Sequence, residues 1–414
     1  MSLWCVSRGG VDHLQHPSKK PWGLASLCCN TKRTPPSPPR AAPSPRGSKA
    51  SYGGLQHLAL PSHSLSAILN GLRIHRGSKQ VQEVGLAALY NMLVHACEGV
   101  VSAHQAMAEA GVIEAVVEAM QTHFVSLTVL ERGLAVLHEI ARDDEITFCG
   151  LHQGGGDLRK QHMVNAGAAQ AIIGGLRTHE SSAKLQEKGV AMLCVLASGN
   201  DVNEDAGPFE SSVHSRAQQM ADAGAIEFIV SSLHSQRHSE EAQVRTFGAL
   251  CDMSSGSDEG VEGRAQRMVE AGAIEAIVAG LHALQHSAEV QEDGFVALCN
   301  LSGGSGKGLE ARAQIMVDAG AVQVVVAGLR AHEDSTEVQE RGSAVLYNIL
   351  SSCGSGADAD RRLWHAVEVG VVEVVTAGRR AHAHSAEVQD HGLAVLQALE
   401  ARSKMDDLEP EDIW

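Results

Sequence analysis

Two short strings recur along this chain at a fixed separation. An Ala-Gly followed by apolar residues stands at Gly111, Gly167, Gly224, Gly272 and Gly320, with Val-Gly at Gly370. A second string, VQExGxxxLxxL in its fullest form, is centred 22 residues later each time, at Gly133, Gly189, Thr246, Gly294, Gly342 and Gly392. A further centre, Gly85, implies an earlier copy starting at His63. Recurrence of this kind marks units that bury their apolar faces by stacking on neighbours, so seven copies in register make residues 59–403 one array.

Each copy reads as three helices. The first is short, as in residues 310–318, and ends at Gly320, where a residue without Cβ closes a helix at positive φ. The second runs from Ala321 to about Ala331, with Val322, Val325, Val326 and Leu329 on one face. The third begins near Ser335, with Glu337 in its first turn, and carries Val338, Val345, Leu346 and Ile349. Aromatics are 3% of the chain while Gly numbers 42, which suits closely packed helices.

The flanks differ from the array. Residues 1–58 hold most of the prolines, and the first 50 residues carry eight Lys/Arg against one acid, Asp12. Such a segment buries too little apolar surface to offset its ordering entropy and reads as a disordered basic tail. It has no continuous apolar h-region for secretion; an organelle transit peptide is the alternative reading. Its Pro35–Arg40 stretch fits a PxxPxR ligand pattern that Pro-rich tails also produce by chance. Residues 404–414 form an acidic C-terminal tail ending in Trp414. Net charge is −16 overall, so the array itself is strongly acidic, which argues against nucleic-acid binding. No apolar run reaches the roughly 18 residues of a membrane span. The expected compartment is the cytoplasm.

The strings AGAIEAIVAGL (Ala271–Leu281) and EVQEDGFVALCNLS (Glu289–Ser302) resemble the armadillo repeat. The resemblance covers about four-fifths of the chain. It implies an all-α, right-handed solenoid of about seven three-helix repeats, a non-enzymatic scaffold whose third helices line a concave groove for a protein partner. Periodicity alone implies only a helical solenoid. A structural or self-associating solenoid, and a regulatory region related to those fused to kinases, remain as alternatives.

The family binds extended peptides partly through an Asn on the third helix. The matching column here is Asn91, Glu139, Val195, Asp252, Asn300, Asn348 and Ala398. One turn earlier, nuclear-import adaptors carry Trp; here that column is Ala87, Ala135, Ala191, Gly248, Val296, Ala344 and Ala394, which puts recognition of nuclear-localisation signals in doubt. Seven residues before the Asn column, nearly two helical turns, stand Val84, Arg132, Lys188, Arg245, Asp293, Arg341 and His391. The candidate partner-binding set is therefore Asn91, Arg132, Lys188, Arg245, Asp252, Asn300, Arg341 and Asn348, and the preferred ligand an acidic extended segment. The competing reading pairs these bases with acids on adjacent repeats.

Spacing between copies is uneven. From each third-helix centre to the next glycine the distances are 26, 34, 35, 26, 26 and 28 residues. Additions of about eight residues therefore fall in 143–158 and 198–215, each with four acids and no Lys or Arg. They read either as solvated loops or as an acidic lip on one edge of the solenoid.

Other columns read as structural. Met107, Met163, Met220, Met268 and Met316 fit core filling, and Cys194, Cys251 and Cys299 share one column with Tyr90 and Tyr347. Arg159, Arg216, Arg264, Arg312 and Arg362 suggest a ladder of inter-repeat Arg–carboxylate pairs. His75, His123, His179, His332 and His382 recur at the second helix's end, one per repeat, too far apart to share a metal but suited to helix C-termini. A calcium loop from Asp201 fails at Ala206 and Ser212, and Gly303–Gly308 lacks the spacing and Ser/Thr of a phosphate loop. No catalytic pair, metal or cofactor is expected.

Overall fold

A computed structural model describes residues 62–96, 103–142, 155–199, 216–255, 260–303, 308–351 and 357–406. The tail 1–58, most of the two additions, and residues 407–414 lie outside the described residues. Within them the chain is all-helical, in seven successive units. The first unit has α1 (Ser62–Ile74) and α2 (Lys79–Ala96); the second has α3 (Ala103–Glu109), α4 (Val112–Thr122) and α5 (Leu127–Ala141). The third contains α6 (Gly155–Asn165), α7 (Ala168–Thr178) and α8 (Ala183–Ala197), and the fourth α9 (216–223), α10 (Ala225–Ser235) and α11 (Glu240–Ser254). The fifth contains α12 (Val261–Glu270), α13 (Ala273–Ala283) and α14 (Ala288–Ser302). In the sixth are α15 (Leu309–Asp318), α16 (Ala321–Ala331) and α17 (Thr336–Ser351), and in the seventh α18 (Ala357–Val369), α19 (Val371–Ala381) and α20 (Ala386–Asp406). Units two to seven thus have the three expected helices. α20 continues three residues beyond the boundary expected at 403.

The local signals act as the sequence implies. The six glycines between first and second helices all have φ between 83° and 92°, a region that disfavours a Cβ. Each third helix from the second unit on opens with a serine whose hydroxyl accepts an amide proton three residues ahead; Ser335 does so from Val338 at 3.2 Å. Such a cap contributes roughly 1 kcal/mol.

The conserved spacing of 22 residues places a glycine where helices two and three cross. A Cβ at Gly294 would lie 2.5 Å from Leu281 Cδ2, and one at Gly342 would lie 2.6 Å from Leu329 Cδ2. The VQE glutamine locks the same pair of helices: Gln291 Nε2 donates to the carbonyls of Leu281 at 2.8 Å and Leu284 at 3.4 Å. Gln82, Gln186, Gln243, Gln339 and Gln389 repeat this arrangement. Each thus occupies carbonyls that the second helix leaves without intrahelical partners.

Units join through two continuous rows. Third helices pack side by side in chain order, as do second helices. The buried core runs through all seven units and includes all five methionines of the first-helix column. Cys194 and Cys251 are buried, whereas Tyr90 and Tyr347 in that column are partly exposed, so it is only partly a packed position. Burial pushes the Cys194 thiol up to about 12.

Candidate functional site

The five recurrent arginines are among the largest fully buried side chains. Their partners are mixed. Arg216 Nη2 meets Asp157 Oδ1 at 3.2 Å and the Ser198 carbonyl at 3.0 Å. Arg312 forks onto both oxygens of Glu262, at 2.6 and 3.2 Å, and reaches the Gly303 carbonyl. Arg264 takes Gln218 and the carbonyls of Met253 and Ser255; Arg159 takes the carbonyls of Ile140 and Arg142. Arg362 has Gln314 at 2.7 Å and Glu310 at 3.7 Å. The expected carboxylate ladder is therefore half of the arrangement. The other half caps the C-terminal end of the preceding third helix, where carbonyls lack intrahelical partners.

Asp157 corrects one sequence expectation. The sequence expectation puts it in the 143–158 addition, yet it lies in α6, buried between Arg216 and Lys160. The addition ends before Gly155, because residues from there on continue the first-helix register that Arg159 anchors.

Histidines bridge units at the second helix's end. His123 Nε2 lies 2.7 Å from the Arg76 carbonyl, His179 Nε2 3.0 Å from that of Phe124, His332 Nε2 2.9 Å from that of Gln285, and His382 Nε2 2.7 Å from that of Glu333. The column thus ties the second, third, sixth and seventh units to their predecessors, while Gln236 and Leu284 stand at this position in the fourth and fifth.

The third-helix row carries the candidate ligand contacts. Its small column is open in part: Ala87, Ala135, Ala191 and Gly248 are half-buried, with nothing within 4 Å of a Cβ built on Gly248, whereas Val296 and Ala344 are buried. Lys188 and Asn91 are exposed. Arg245 pairs along its own helix with Glu241 at 2.9 Å. Arg132 Nη1 donates to the Glu83 carbonyl at 2.5 Å, and Arg341 pairs with Glu292 at 3.1 Å, each on the preceding third helix. Asn300 Nδ2 donates to the Cys251 carbonyl at 3.3 Å and Asn348 Nδ2 to that of Cys299 at 3.4 Å. Asp252 Oδ2 accepts from the Gly199 amide at 3.1 Å. Several members of the set therefore also brace adjacent units. Arg341–Glu292 fits the competing reading of bases paired with acids on adjacent repeats, whereas Arg132, Asn300 and Asn348 end on backbone carbonyls, which have no mark in the sequence.

Three titrating groups lie near this row. Burial lowers the pKa of His138, with Glu139 opposing, and burial lowers that of His391 against Asp390 and Glu387. Glu340 is raised, first by burial and then by Glu387. Elsewhere, a cleft of about 730 Å³ separates α13 from α16 and is lined by Arg237, His282, Gln323 and Val324. Among the described residues no three His, Cys, Asp or Glu side chains converge as metal ligands, and no single helix is long and apolar enough to cross a membrane.

No family model matches the chain. No curated protein matches it. Among solved structures it is similar to one described as a conserved phosphorylation switch controlling the interaction between cadherin and beta-catenin in vitro and in vivo. Identity is 15% and the TM-score 0.45, over 82% of this chain and 65% of that one. The chain therefore spans a little under two thirds of that neighbour's length.

Proposed function

We propose that this chain is a non-enzymatic scaffold of the armadillo kind, coiled as a right-handed superhelix. It holds an acidic protein segment, extended or helical, along its third helices. The supporting observation is the uninterrupted row those helices make through seven units. Small side chains such as Ala191 and Gly248 leave backbone-sized space along it, with Lys188 and Arg245 beside them. Arg132 and Arg341 brace the preceding third helix from the same column. Within a strongly acidic array, these four bases favour contact with an acidic ligand over a basic one.

Site-specific photo-cross-linking tests this reading. A photoreactive residue replaces Lys188, Arg245 or, as a control, Gln323 on the second-helix side, and the full chain is mixed with an Asp/Glu-rich peptide. Capture from positions 188 and 245 is expected. Capture from position 323 alone would place the ligand elsewhere.

A further inference from the structure

The described array ends in two faces that the interior never exposes. Inside it, a side chain one residue after the third-helix centre packs onto the next unit. Phe247 reaches Gly280 and Gly294, and Phe295 reaches Gly328 and Gly342, with ring atoms 2.8 to 3.3 Å from where a Cβ would stand. Each is a knob entering a notch made by two glycines, one on the next second helix and one on the next third helix. Leu86, Leu134, Val190, Phe247, Phe295 and Ser343 fill this knob column and all are buried.

At the seventh unit the knob is Leu393, and it is 42% exposed. Val367 belongs to a first-helix column that is buried at Ala108, Val164, Ala221 and Val269, yet it too is exposed. Trp364 occupies the position where Gln218 and Gln314 accept from the next unit's arginine, and it is 63% exposed. A terminal repeat that only closes a solenoid carries polar residues on its outer side. This one carries Leu, Val and Trp.

The first unit presents the matching half. Gly71 stands where Gly175, Gly280, Gly328 and Gly378 receive the preceding unit's side chains, and among the described residues nothing lies within 4 Å of a Cβ built there. Gly85 completes the notch. Val84 faces the same way as Arg132 and Arg341, which reach back one unit, and is 69% exposed. The exposed His75 ring occupies the position from which His123, His179, His332 and His382 bond the preceding unit; in register its partner is the Ala383 carbonyl.

We infer that a second copy of this chain docks head to tail, Leu393 of one entering the Gly71/Gly85 notch of the next. The junction repeats the internal unit-to-unit interface. Because its two halves are different surfaces, it is heterologous and propagates into chains or closes into a ring. It uses the array's ends and leaves the exposed third-helix positions available, so it stands independently of the ligand reading above.

The test is sedimentation velocity of the full chain over a concentration series, with Leu393→Asp, Gly71→Leu and their mixture. Wild type is expected to grow in mass with concentration past the dimer. Each variant alone remains monomeric. The mixture forms one junction, from an intact knob and an intact notch, and stops at dimer. Circular dichroism checks folding; if Gly71→Leu loses helix, Val84→Asp replaces it. A wild type that stays monomeric overturns the inference, including the case where removal of residues 407–414 releases association, which would make the chain's own C-terminus the occupant. A dimer that the mixture fails to restore overturns it as well, because it would be symmetric.

Discussion

Arg216 of the fourth unit holds Asp157 of the third at 3.2 Å, and neither side chain is accessible to solvent. The pair joins successive first helices while Arg216 also caps α8 through the Ser198 carbonyl. Burial lowers the Arg216 pKa and Asp157 opposes that shift. Removing one partner of a buried pair costs about 3–5 kcal/mol, since the other charge is left unmatched. Lys160, 3.5 Å from Asp157, offsets part of this, so Arg216→Met is expected at the low end, about 3 kcal/mol. Adding Asp157→Asn to that variant should deepen the loss, because it leaves the buried Lys160 without its carboxylate. Urea unfolding midpoints measure both; an Arg216→Met protein as stable as wild type would contradict the pairing.

The glycines of the third helices divide into two kinds, and alanine separates them. At Gly342 a new Cβ meets Leu329 within the unit and Phe295 from the preceding one, so Gly342→Ala should destabilise by about 1–3 kcal/mol. At Gly248 the space is open, and Gly248→Ala should stabilise by up to about 1 kcal/mol through helix propensity. Thermal melts of the two variants should move in opposite directions. Equal shifts would show that the helix crossing is not the reason for glycine at the centre.

Much of this fold is legible in the sequence because its signals are local. Gly320 closes a helix through chirality, Ser335 opens one through its hydroxyl, and the fixed 22 residues between centres reflect one helix crossing repeated. The Gln291 clamp and the Arg159 cap were not legible, since both end on backbone carbonyls. Asn300 shows the same limit at the candidate site. Its column was readable by register, while its bond to the Cys251 carbonyl depends on how closely adjacent third helices stack. Asp157 was misplaced because unit length alone does not say on which side of a helix start an addition falls.

Acid sensitivity should follow from His138 and His391, where loss of hydration disfavours the charged ring. The ordinary pKa of His391 is 6.5, and its folded value is lower because burial disfavours the charged ring. His138 is shifted the same way. Between the folded and ordinary values the unfolded chain binds more protons, so stability falls as pH drops below 6.5 toward the folded pKa. Glu340, shifted upward, acts in the opposite sense: its contribution favours the folded state in acid and is lost as pH rises through its folded value. Melting temperatures taken between about pH 7.5 and pH 5.5 should decline, and less steeply in His391→Gln. An unchanged slope in that variant would remove His391 from the account.

The central claim is that basic groups on the third-helix row select an acidic segment. Selection from a random peptide library on the full chain tests it directly, comparing wild type with a variant in which Arg132, Lys188 and Arg245 are all changed to Glu. Wild type should enrich Asp- and Glu-rich peptides whose binding weakens with salt. The triple variant, checked for retained helicity, should lose that enrichment. Enrichment of the same acidic peptides by both proteins would contradict the claim.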